Sequence, residues 1–205
     1  MTPPVLIGHM AVGLCAGVIL VSLGEYLIHR YVMHGAVFSA LLSFCPGPFQ
    51  DIWLDHAVKH HRRFYRRFDH EPDPVGREIG ISISWWHTAA AAVGMAPALA
   101  LLAWGVSPVA AAAALCVVPI QTLAWNALHR EMHQPNGGWW TRSGIYRFLE
   151  AYHRAHHDRP ETNFHITLPL FDVLFGTLSP RRRSRLGEAS GGARAGAAGH
   201  PRPWR

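Results

Sequence analysis

Charge is scarce in this chain and unevenly spread. Asp, Glu, Lys and Arg make up 16% of its 205 residues, against roughly 25% in ordinary soluble domains. Met1–Gly24 contains none of them, and neither does Ile79–His129. The first stretch is long enough for one membrane span of about 20 residues and the second for two. A soluble fold buries one such helix but not three, so a soluble globular domain is excluded. No Lys or Arg precedes Arg30 or falls between Arg77 and Arg130. The net charge of +6 therefore does not form the basic face that nucleic-acid binding needs, and its placement follows the positive-inside rule instead. Cysteine is also rare. Cys15, Cys45 and Cys116 form no CxxC or paired spacing, which rules out a disulfide framework and a thiolate metal site. The N-terminal apolar run lacks the basic start of a cleaved signal and is read as a retained anchor.

What is present divides into spans and polar segments. The first span is expected over Val5–Ile28, with Gly13 and Gly17 as a GxxxG able to bring another helix close. The second and third are expected over Ile79–Ala103 and Val109–Leu128, joined as a tight hairpin by Trp104–Pro108. Trp85, Trp86 and Trp104 mark the span ends. Gly35–Leu54 is apolar but broken at Cys45-Pro-Gly-Pro48, which predicts a re-entrant or interfacial segment. Residues 1–179 are read as one membrane domain. Residues 180–205, rich in Arg, Gly and Ala without periodicity, are read as a disordered basic tail. The fold class is all-α: an integral-membrane helical bundle of three to four spans with a histidine-rich helical cap. With every basic segment cytoplasmic, all the polar segments share the cytoplasmic side.

The chain has 15 histidines, and ten fall in four clusters: His29 and His34; His56, His60 and His61; His129 and His133; His153, His156 and His157. Residues three and four apart share one helical face, so His129 with His133, and His153 with His156 and His157, form compact patches. His60 and His61 point about 100° apart and suit two different ions. His29 and His34, five apart, do not share a helical face and need two metals or an unwound helix end. One HxxxH pair is commonly just two interfacial histidines, but four clusters on one side of the membrane point to a shared binuclear site. Neutral imidazole binds zinc, copper and iron alike.

The succession HxxxxH, HxxxHH, HxxxH, HxxHH resembles the fatty acid hydroxylase/sterol desaturase superfamily. Glu25-Tyr-x-x-His29-Arg is similar to its opening motif. Tyr152-His-x-x-His-His157, Asn163-Phe164 and Pro169-Leu-x-Asp172-x-x-Phe175-Gly-Thr177 are similar to its closing one. The resemblance covers residues 25–178. It implies a four-span or similar helical fold, a cytoplasmic dimetal centre and O₂-dependent hydroxylation or desaturation of a lipid. Carried over, the metal ligands are His29, His34, His56, His60, His61, His129, His133, His153, His156 and His157, and the ions are iron, with zinc possible on isolation. The second cluster has one residue more before its HH pair than is common, and His165 stands where a glycine is usual. Carotenoid hydroxylases are the runner-up, their third cluster being longer-spaced. A zinc-stabilised protein without catalysis is a further alternative. A metal transporter is disfavoured, because it places its ligands near the bilayer midplane.

Outside the clusters, Glu25 is expected to orient His29 as a hydrogen-bond acceptor. Asp172 is expected to anchor the closing segment. His165 is read as an extra ligand, a donor behind the ligands, or incidental, and His87 as an interhelical hydrogen bond. Asp158 and Glu161 are read as solvated loop carboxylates, while His9, His70 and His200 have no partner at ligand spacing. No haem, nucleotide or iron–sulfur motif is present, so a separate electron donor of ferredoxin or cytochrome type is expected. Lys59, Arg62, Arg63, Arg66 and Arg67 form a basic surface read as docking such a donor, as facing lipid head groups or as simply solvated.

Overall fold

The computed structural model describes residues 1–35, 41, 52–66, 68 and 75–179. Most of the Gly35–Leu54 segment and all of the 180–205 tail lie outside these residues. Among those described, the chain is all-helical, without a strand.

Helix α1 (Pro3–Leu27) begins with two prolines in its first turn, where a missing N–H costs nothing. It runs on without interruption into a π-helical stretch, Ile28–Met33. The rod Pro3–Met33 contains an 18-residue stretch with a mean hydropathy of 2.2 and is long enough to cross a bilayer. Two shorter helices follow the cap helix Leu54–Phe64: α2 (Trp85–Gly94) and α3 (Ala96–Gly105). They meet at a 49° bend and make up a third span if counted as one. Pro97 accounts for the break, because its ring removes an N–H and collides with the preceding turn. Helix α4 (Pro108–His133) is the second uninterrupted span, with Ser107 as its N-cap accepting from the Ala110 N–H at 3.1 Å.

The expected second span over Ile79–Ala103 is corrected here. Residues 75–84 form turns and extended chain, and the helix starts only at Trp85. Gly80 is left-handed (φ 71°), a conformation incompatible with a continuing α-helix. The Asn126 side chain replaces the helical bonds at Ile83, accepting from its N–H at 2.7 Å and donating to its carbonyl at 3.0 Å.

The helices α1 and α4 pack where their side chains are smallest. A methyl group added to Gly13 would lie 2.2 Å from the Ala110 carbonyl oxygen, and one added to Gly17 would lie 2.7 Å from that of Ala114. The expected GxxxG contact is thus made, to Ala110-x-x-x-Ala114. One turn on, Val21 packs with Val117 and Val118, and α2 joins through Ala91 and Ala92. Thr88 and Thr122 share a buried hydrogen bond of 3.0 Å. The outer faces remain apolar: Ile7, Val93, Leu101, Ile120 and Leu123 are all exposed. A water-soluble surface does not look like this, and a lipid-facing one does.

At the end of the spans sits the cap. It comprises the helix Leu54–Phe64, a 3₁₀ turn Trp139–Arg142, α5 (Gly144–Asp158, capped by Ser143) and the short α6 (Leu170–Leu174). Its core of Phe68, Trp125, Met132, Tyr146, Leu149 and Ile166 packs α5 against the end of α4. This fixes the histidine-bearing turns relative to one another.

Candidate metal centre

The ten clustered histidines converge into two groups of five. His29, His34, His56, His61 and His156 form one; His60, His129, His133, His153 and His157 form the other. In each group one nitrogen per ring lies within 4.8 Å of all the others. As the spacing predicts, His60 and His61 go to different groups. His153, His156 and His157, expected as one compact patch, are divided: His156 enters the first group, His153 and His157 the second. The expectation for His29 and His34 needs correction, because both enter the same group. The π-helical stretch explains it. The His34 N–H bonds to the His29 carbonyl at 3.1 Å, an i→i+5 bond, which stacks residues five apart on one face. His56 and His61 are brought together in the same way by the π-helical turns of Leu54–Phe64.

Backbone carbonyls orient the rings. The Nδ1–H of His60 donates to Ile79 O at 3.2 Å, that of His129 to Ile81 O at 3.0 Å and that of His133 to Phe68 O at 2.7 Å. His157 donates to Tyr65 O at 3.1 Å, His156 to Thr162 O at 2.6 Å, and His29 to Phe164 O. Three left-handed residues stand at these acceptors: Phe68 (φ 72°), Gly80 (φ 71°) and Asn163 (φ 55°). Phe68 presents its own carbonyl. Gly80 sits between the carbonyls of Ile79 and Ile81, and Asn163 between those of Thr162 and Phe164. Each sharp reversal aims a carbonyl, or a pair of them, at imidazoles. Left-handed backbone outside glycine costs on the order of 1–2 kcal/mol and gathers at functional sites.

In these six rings a protonated, bound Nδ1 leaves Nε2 with its lone pair free; in His56, His61 and His153 Nδ1 is buried without a partner. The Nε2 atoms face each other at close range. Nε2 of His29 lies 2.9 Å from that of His56, His61 from His56 and His34 from His156 at 3.1 Å, and His133 from His153 at 3.0 Å. In the second group, Nε2 of His60, His129 and His157 is buried with no hydrogen-bond partner. Such orphaned acceptors are costly unless a cation sits between them. Two nitrogens each about 2.1 Å from one ion, at right angles, lie about 3.0 Å apart. The residues therefore fit two ions, five imidazoles to each. Burial is also the first cause lowering the proton affinity of His56, His60, His61, His153 and His157, and it takes His156 down to about 4. The rings stay neutral, as ligation requires.

A family model described as "Fatty acid hydroxylase" matches residues 14–177. The chain belongs to the fatty acid hydroxylase family. It is a membrane protein of the lipid hydroxylase/desaturase type of oxygenase, a family with a histidine-ligated metal centre. No curated protein and no solved structure matches the chain.

Around the two groups the neighbouring polar residues differ in part from expectation. Glu25 does not touch His29. Its carboxylate accepts from the Ile166 N–H at 2.7 Å and from the Thr167 hydroxyl and the Gln121 amide at 2.8 Å each, pinning the closing loop to α1 and α4. The acceptor for His29 is a main-chain carbonyl, which no side-chain motif reveals. Asp172 anchors the closing segment as expected. It accepts from Phe164 N–H, His165 N–H, His165 Nδ1–H, Tyr152 O–H and Thr177 O–H at 2.6–3.0 Å. His165 joins neither group. Its second nitrogen faces the Ser22 carbonyl at 3.1 Å, so both ring nitrogens meet acceptors. Burial disfavours its charge, but Asp172 and Glu25 outweigh burial and raise its pKa. It locks the closing loop to α1. The His87 ring meets the Ser84 hydroxyl within its own turn at 2.8 Å. Asp158 and Glu161 line a cavity at the edge of the centre.

Proposed function

We propose that the chain is an O₂-dependent lipid hydroxylase or desaturase with a histidine-ligated di-iron centre at the cytoplasmic face of the membrane. The observation that carries this reading is the pair of five-imidazole groups, with their unpartnered nitrogens turned inward. The ten residues holding the ions are His29, His34, His56, His61 and His156 on one side, and His60, His129, His133, His153 and His157 on the other. Bound there, the ions supply the redox chemistry with O₂ that no side chain can perform.

The chain's own residues do the rest. Carbonyls of Phe164, Thr162, Ile79, Ile81, Phe68 and Tyr65 fix the tautomer and direction of six rings, which holds their Nε2 lone pairs ready without reorganisation. Burial keeps the rings unprotonated and excludes bulk water. Hydroxylation inserts one oxygen atom into a C–H bond and reduces the other to water. Desaturation removes two hydrogens and reduces both oxygens to water. Either outcome consumes two electrons and two protons from outside. A separate donor of ferredoxin or cytochrome type delivers the electrons, since the chain has no redox motif of its own. All the histidine clusters lie at one end of the spans together with the basic segments, which supports a cytoplasmic orientation.

The test is lipid mass spectrometry of cells expressing the wild type and His156→Ala, with elemental analysis of both proteins. The expected result is a lipid gaining one oxygen or losing two hydrogens only with the wild type, and a lower iron content in the variant. An iron-loaded wild-type protein that leaves every lipid unchanged with a reductant and O₂ would overturn the reading in favour of a metal-stabilised structural role.

A further inference from the structure

The centre has an opening, and its chemistry is not apolar. A cavity of about 930 Å³ reaches His34 and His61 of one group and His157 of the other. That volume falls in the range of small-molecule sites. The apolar groove between α1 and α3, lined by Ile19, Leu20, Leu101 and Leu102, reaches no histidine. A molecule that enters the larger cavity contacts both groups.

Three arginines line it: Arg30, Arg62 and Arg66. Arg30 directly follows His29 and Arg62 directly follows His61 in the chain. Arg30 is held by the Tyr26 hydroxyl, with its guanidinium 5.1 Å from the centre of the Tyr31 ring and 5.7 Å from that of Phe164. None of the ion pairs found among the described residues uses any of the three. Asp158 and Glu161 line the same cavity, leaving one positive charge in excess. Guanidinium is the side chain best suited to grip a carboxylate or phosphate through two parallel bonds. Trp53 and Phe164 add apolar surface beside the arginines.

We infer that this cavity is the head-group site for the substrate, and that the substrate is a lipid with an anionic carboxylate or phosphate head. The inference rests on the oxygenase reading above and narrows it, because sterols and carotenoids carry no such charge. An anion held by these arginines shares the cavity with His34, His61 and His157. The C–H bond attacked then belongs to the first few carbons beyond the head, and the lipid is drawn in from the head-group layer of the membrane. A concave site that touches three of the clustered imidazoles suits such a ligand better than the convex surface of an acidic electron donor.

The test is equilibrium binding, read without O₂ so that turnover is not required. The full-length, metal-loaded protein in neutral detergent competes a fluorescent long-chain fatty acid against palmitate, hexadecyl phosphate, methyl palmitate and hexadecanol. The two anionic compounds should compete at least tenfold better than the two neutral ones. The better of the two identifies the head as carboxylate or phosphate. In the double variant Arg62→Gln/Arg66→Gln the advantage should fall below threefold, while Arg62→Lys/Arg66→Lys keeps most of it. Equal competition by all four in the wild type overturns the inference without recourse to any variant. So does an undiminished anion preference in the Gln variant, or a Gln variant that slows reduction by an acidic ferredoxin while keeping its head-group preference. A protein that never oxidises a lipid yet prefers the anions would refute the oxygenase reading alone.

Discussion

Replacing Asp172 by Asn should loosen one of the two metal groups and spare the other. Asp172 is fully buried, and its two oxygens receive five donors. Phe164 N–H and Thr177 O–H reach Oδ1; His165 N–H, His165 Nδ1–H and Tyr152 O–H reach Oδ2. Asparagine keeps one acceptor oxygen. Whichever way its amide turns, at least two donors then face an NH₂ group. Hydrogen bonds to a charged acceptor contribute about 1.5–3 kcal/mol each, so the closing loop loses roughly 3–6 kcal/mol of local stability. That loop carries the Thr162 and Phe164 carbonyls, which orient His156 and His29 in the first group. The second group takes its orientation from carbonyls at 65, 68, 79 and 81, on other segments. Losing a supporting contact of this kind lowers metal affinity about 10–100-fold. Dialysis against graded chelator, followed by elemental analysis, should show one ion leaving Asp172→Asn at correspondingly lower chelator strength. The other should leave as in the wild type, within about threefold. Release of both ions together, or of neither any earlier, would refute the assignment of separate supports.

Gly80→Ala should give the mirror result. Its φ of 71° and a Cβ placed 2.8 Å from His60 Cβ disturb the Ile79 and Ile81 carbonyls, so the second group should release its ion first in the same dialysis. Metal-free protein should be acid-sensitive. The unfolded chain protonates its histidines as pH falls through 6.5, whereas folded His156 resists until about 4. Folded stability is therefore full above pH 7 and falls toward pH 4, by about 3 kcal/mol from His156 alone. A thermal midpoint that stays flat between pH 7 and 4.5 in detergent would contradict this. Gly13→Val should cost about 1–3 kcal/mol by forcing α1 from α4, seen as a lower thermal midpoint. Gly8→Ala, with nothing within 4 Å of the added methyl, should not lower it.

The spans and the histidine spacings were legible because both follow from periodicity and charge, which a linear sequence displays. The same ten histidines singled out by spacing are the ten the fold gathers, and the separation of His60 from His61 follows from helical geometry alone. What spacing could not convey lies in the main chain. The π-helical turns that unite His29 with His34 have no side-chain signature. The acceptors behind the rings are carbonyls, and a carbonyl belongs to every residue. Gly80 and Asn163 are residue types that tolerate left-handed backbone and were open to notice in that respect. Phe68 is not, since a bulky residue takes that conformation only when its surroundings compel it. Glu25 stands one helical turn before His29 but serves the closing loop, through Ile166, a partner distant in sequence.

The contact of Gly13 and Gly17 with Ala110 and Ala114 acts as a fulcrum. From Gly17 to His29 the rod extends about 18 Å, so a tilt of about 5° at the fulcrum swings the far end by about 1.6 Å. Bilayer thickness, which sets how strongly a long apolar rod leans, thereby gains leverage over imidazoles it never touches.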